Sequence, residues 1–111
     1  MSKKIWKYRI PDKSALELIL PSGSRIVEAN IQYGKFTIWV EMDYYYDDYD
    51  LEKRYFQVFP TGATIPDSSV YIKTVFDNGH VWHLYSVTCI TKDTPLVTAE
   101  FFVDECNNDH Y

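Results

Sequence analysis

Three histidines, two cysteines and a run of carboxylates are the residues here whose types could do chemistry. His80 and His83 flank Trp82 at three-residue spacing. On a strand that spacing puts the two rings on opposite faces, which spoils them as a metal pair. His83 reads either as a hydrogen-bonding group for a ligand or as a half-buried strand histidine satisfied by its neighbours. The general rule that buried polar groups find partners favours the second. Cys89 and Cys106 stand apart with no C-x-x-C spacing, so two free thiols are expected rather than a disulfide. No G-x-S-x-G elbow, phosphate-binding P-loop or H-E-x-x-H helix is present. The expectation is a binding protein rather than an enzyme, with no catalytic residues, no metal and no cofactor.

Six acids and four tyrosines fall between Glu41 and Glu52. Dense carboxylates at Asp43, Asp47, Asp48, Asp50 and Glu52 could hold calcium, but the glycine and the alternating spacing of a calcium hand are missing. Mimicry of nucleic acid is a second reading. A solvated charged loop is the ordinary meaning of such a run.

At the N-terminus, Ile5-Trp6-Lys7-Tyr8-Arg9 alternates aromatic and cationic side chains. Such a strand offers stacking faces and phosphate partners, the two things a nucleotide needs. A half-buried strand with Trp6 and Tyr8 inward and Lys7 and Arg9 in solvent has the same pattern. That plainer reading predicts both cations exposed.

The elements that position these residues are strands. Alternating runs recur with turn chemistry roughly every ten residues. They are Lys4–Ile10, Ala15–Leu20, Arg25–Tyr33, Lys35–Met42, Arg54–Phe59, Val70–Phe76, His80–Val87 and Leu96–Val103. Pro21-Ser22-Gly23-Ser24, Gly34 and Asp77-Asn78-Gly79 are the clearest turns. Asp43–Lys53 loses the alternation and reads as a surface excursion. No apolar face recurs at helical spacing. A single all-β domain is predicted, or β with one short helix: a small antiparallel sheet, sandwich or partly open barrel.

With 111 residues and a net charge of −5, the chain does not suit duplex nucleic acid as a partner. The cations Lys3, Lys4, Lys7 and Arg9 are concentrated at the start and leave room for a small anionic ligand there. No apolar run approaches the ~18 residues of a membrane span, and no apolar stretch follows the opening lysines as in a secretory signal. A cytoplasmic protein is expected. Aromatic residues make up 17%, a surplus over what one small core covers, and this predicts a homo-oligomer.

Ile5-Trp6-Lys7-Tyr8, Leu20-Pro21-Ser22-Gly23, Trp39 after Gly34, Thr61-Gly62 and Val81-Trp82-His83-Leu84-Tyr85 occur in an order that resembles a family of small bacteriophage proteins. The likeness spans residues 1 to about 87, with the rest as a C-terminal extension. It implies a counter-defence role: a sponge that sequesters a cyclic nucleotide immune signal of the infected host without cleaving it. On their own chemistry Trp6, Tyr8 and Trp82 would stack on bases, while Lys7, Arg9, Lys35 and Arg54 would meet phosphate. His83 and Thr61 would hydrogen-bond, and Gly62 would let the backbone approach a cyclic dinucleotide. Inhibition of a host protein through the acidic Tyr44–Asp50 loop, or an accessory or structural phage role, stays open beside it.

Overall fold

Strand alternation is carried into three dimensions in the segment Lys35–Tyr44, where Phe36, Ile38, Val40 and Met42 are all buried. The computed structural model describes residues 2–11, 14–44, 50–88, 90 and 92–100. Among them are eight strands and no helix: β1 (Ser2–Arg9), β2 (Ala15–Pro21), β3 (Arg25–Gln32), β4 (Lys35–Tyr44), β5 (Leu51–Pro60), β6 (Val70–Asp77), β7 (His80–Val87) and β8 (Leu96–Glu100). They form a three-stranded sheet, β1-β4-β3, and a five-stranded sheet, β6-β7-β5-β2-β8.

Two hairpins set the registers. Tyr33-Gly34 has φ of 53° and 76°, and Asn78-Gly79 has 48° and 86°. Successive positive φ angles mark the two-residue turn whose twist matches antiparallel strands, and glycine takes the second position without a Cβ clash. These turns join β3 to β4 and β6 to β7.

The inner faces share one apolar cluster. Tyr8, Ala29, Phe36, Ile38 and Val40 come from the smaller sheet, and Leu16, Leu18, Phe56, Val75 and Leu84 from the larger. The all-β prediction therefore holds, as two packed sheets without a helix among the described residues.

Three details differ from the expectation. First, β8 runs parallel to β2, Leu16 opposite Val97, so the larger sheet is mixed rather than antiparallel throughout. Second, regular pairing extends to Ser2↔Tyr44 and Pro21↔Leu51. The Asp43–Lys53 excursion is thereby shortened, because Lys3 holds Asp43 by a 2.7 Å ion pair and β2 templates the start of β5. Third, Lys7 is only 6% exposed instead of solvated. Residues 45–49 of the tyrosine-rich segment, both cysteines, His110 and the end of the predicted Leu96–Val103 strand lie outside the described residues.

Candidate functional site

The ten residues singled out from sequence do not converge. Tyr8 is 1% exposed in the shared core, so its ring is closed to a stacking ligand. Trp6 and Trp82 also turn inward and pack against that core. Trp6 Nε1 is buried with no hydrogen-bond acceptor among the described residues, and His80 stacks on Trp82 at 6.0 Å between ring centroids.

Lys7 and Arg9 lie on the opposite, outer face of the three-stranded sheet, facing Trp39 and Thr37 of β4. Lys7 Nζ donates to Gln32 Oε1 at 2.7 Å. Trp6 and Lys7 therefore serve two different faces and cannot line one pocket of this chain. Lys35 is exposed next to the Tyr33-Gly34 turn, away from the larger sheet. Arg54 shares the inward register of β5 with Leu18 across from it, and its Nη1 donates to Ser24 O at 2.5 Å.

Thr61 and His83 are brought together. Thr61 Oγ1 is 2.9 Å from His83 Nε2, and Thr74 Oγ1 is 2.9 Å from Nδ1. A neutral imidazole donates from one nitrogen and accepts on the other, so one threonine accepts while the other donates. Tyr71 OH extends the chain with a 2.8 Å contact to Thr74 Oγ1. His83 is thus a half-buried histidine satisfied by hydroxyls, and Gly62 sits in the turn beyond Thr61 with φ 93°.

These side chains occupy the outer face of the five-stranded sheet. Register places Phe59 opposite His83 and Gln57 opposite Tyr85, with Thr74 opposite His83 and Tyr71 opposite Tyr85 on the other side. Tyr85 meets Phe59 edge-on at 5.8 Å and Tyr71 at 5.6 Å. The result is an aromatic surface pinned by hydroxyl contacts, with Tyr71 more than half exposed.

Beside it, where β7 ends and β5 continues, a shallow cleft of about 280 Å³ is lined by Lys53, Arg54, Tyr55, Ser86, Val87 and Thr88. Among the described residues β5 has no β7 partner before Tyr55. The exposed cation Lys53 and three hydroxyls in one concavity suit an anion, while the Arg54 side chain turns to the inner face. Arg54 spends one N–H group on Ser24 O, and its guanidinium lies 5.4 Å from the centroid of the buried Phe56 ring. Next to the cleft, Glu17 accepts from Thr98 Oγ1 at 2.8 Å. The Thr98 hydrogen bond, then one from Tyr55, and the charge of Lys53 hold its carboxyl below the usual glutamate range against the opposing effect of burial. The same contact pushes the Tyr55 hydroxyl above its ordinary value.

Sequence reasoning named Arg54, Thr61 and His83 but missed Lys53, Phe59, Tyr71, Thr74, Tyr85, Ser86 and Thr88. One signal was available, since His83 and Tyr85 are two apart and must share a face. The link to Tyr71 and Thr74 was hidden by a bulge in β6, where the register shifts between Tyr71 and Lys73.

Fold and site together define a two-sheet β-protein with an aromatic sheet face and an adjoining cationic cleft. The chain belongs to the family described as Domain of unknown function (DUF7352), whose model matches residues 1–94. The parallel strand β8 begins just beyond the matched region. No curated protein and no solved structure matches the chain. Among the described residues no cluster of His, Cys, Asp or Glu could hold a metal ion, and no helix is long and apolar enough to cross a membrane.

Proposed function

We propose that this protein binds and sequesters a small phosphorylated nucleotide without cleaving it, as a bacteriophage counter-defence protein acting in the host cytoplasm. The observation that carries the reading is the junction of the Lys53–Arg54 cleft with the Tyr71–Tyr85 face. At about 280 Å³ the cleft lies just below the roughly 300–1,000 Å³ of drug-sized ligand sites. It has room for a phosphate and sugar, while a base would lie outside it against the exposed tyrosine rings. Stacking of a base on an aromatic side chain contributes about 1–3 kcal/mol. A cyclic nucleotide carries both parts in one compact molecule, which fits the resemblance to small phage proteins. Glu17 disfavours an anion nearby, so the exposed charge of Lys53 is needed to offset it.

The test is to incubate the protein with a panel of cyclic nucleotides, remove free ligand, denature with heat and analyse what is released. Intact nucleotide is the expected result. Chemically altered nucleotide would mean an enzyme, and a protein that retains none of the panel would overturn the reading.

A further inference from the structure

Independently of any ligand, we propose that the free edge of β6 is a self-association surface, on which a second copy of this chain adds its own β6 antiparallel. β6 is the outermost strand of the five-stranded sheet. Among the described residues no strand pairs with it on the side away from β7. Its apolar side chains are unusually open: Phe76 is 77% exposed, Val70 63% and Tyr71 54%. An open edge with large apolar residues is a template for another strand.

The backbone restricts how two copies can meet. Asp77 and His80 flank the two-residue Asn78-Gly79 turn. In such a hairpin the flanking residues form a hydrogen-bonded pair, and the pattern alternates from there. The N–H and C=O groups of Phe76 and Thr74 therefore point away from β7, toward the open edge. The bulge between Tyr71 and Lys73 confines the regular stretch to Lys73–Asp77, whose centre is Val75. A two-fold axis at Val75 sets Thr74 of each copy opposite Phe76 of the other, and these are the residues with outward-pointing backbone groups. The same register sets Lys73 opposite Asp77 twice, matching opposite charges. Shifting the axis to Lys73 would oppose the two lysines and run into the bulge.

Lys73 is already ion-paired with Glu28 of β3 in its own chain, which holds it at this edge. Pairing two β6 strands would join the aromatic faces of both copies, as an isologous contact requires.

Light scattering and sedimentation test this on the full chain. The expected mass at high concentration is twice the 13.1 kDa of one chain. Phe76→Lys should return the mass to one chain with an unchanged circular-dichroism spectrum, because its side chain makes little contact within the monomer. Asp77→Lys, which opposes two cations, should shift the equilibrium the same way should Phe76→Lys fail to fold. Ile5→Lys, on the exposed face of the other sheet, should leave the dimer intact. A wild-type protein that stays at one chain mass, a dimer that survives both β6 variants, or loss of dimer in Ile5→Lys would each overturn the proposal.

Discussion

Lys7 Nζ reaches Gln32 Oε1 at 2.7 Å although their strands are not neighbours: β4 lies between β1 and β3. The lysine stem crosses the intervening strand and buries its methylenes, while the ammonium ends 5.9 Å from the centroid of the Tyr33 ring. Long cationic side chains commonly cover apolar surface in this way. A residue whose type and position suggested a phosphate contact is instead part of the outer layer of the smaller sheet.

Lys7→Ala should therefore destabilise the fold and leave nucleotide affinity unchanged. A buried hydrogen bond to a charged group contributes about 1.5–3 kcal/mol, and a loss of that order is expected in urea unfolding. Full stability together with a tenfold loss of nucleotide binding would return Lys7 to the site.

Lys53→Ala should do the reverse. Lys53 is exposed at the cleft and no hydrogen bond from its side chain supports the described core. Loss of one charge-assisted phosphate contact corresponds to about 1.5–3 kcal/mol, roughly tenfold to a hundredfold in affinity. Titration calorimetry with the nucleotide recovered from the panel would measure it. Arg54→Ala is a less clean variant, since it also removes the bond to Ser24 O.

Acid should weaken the protein through Glu17 and Glu28. Both carboxyls are held below their ordinary value of 4.5 in the folded chain, Glu17 first by Thr98 and Glu28 first by Lys73. A depressed folded value means that the unfolded chain takes up the proton more readily. The associated stability is complete above the unfolded value and is lost as pH falls through the folded one. Thermal unfolding followed from about pH 7 down to about pH 3 should show Tm falling with acid. Thr98→Val should flatten that dependence, and an unchanged slope in the variant would separate Glu17 from the effect.

Two phenylalanines on the larger sheet should respond very differently to truncation. Phe56 is fully buried in the shared cluster, and Phe56→Ala should cost about 3–5 kcal/mol. Phe76 lies open on β6, and Phe76→Ala should change monomer stability by less than about 0.5 kcal/mol. Chemical denaturation of both variants at low concentration checks the contrast.

By itself the sequence determined the class of the fold and much of its punctuation. Period-two alternation over Lys35–Met42 and His80–Val87 could not serve a helix, and Asn78-Gly79 admits a tight hairpin because both residues tolerate positive φ. These are local properties, decided by each residue and its immediate neighbours. Which strands lie side by side was decided only in the tertiary structure, because alternation says which residues share a face but not what that face meets. Arg54 and Lys53 are adjacent in sequence, yet one turns toward Ser24 while the other stays in solvent. His83 acquires its two threonines from β6 and from the turn after β5, elements that reach it only through sheet pairing. The bulge in β6 then reverses the expected faces along that strand, so Tyr71 joins the aromatic surface. Burial of Lys7 had the same origin: its length lets it span β4 to Gln32, a contact that only the order of strands in the sheet makes available.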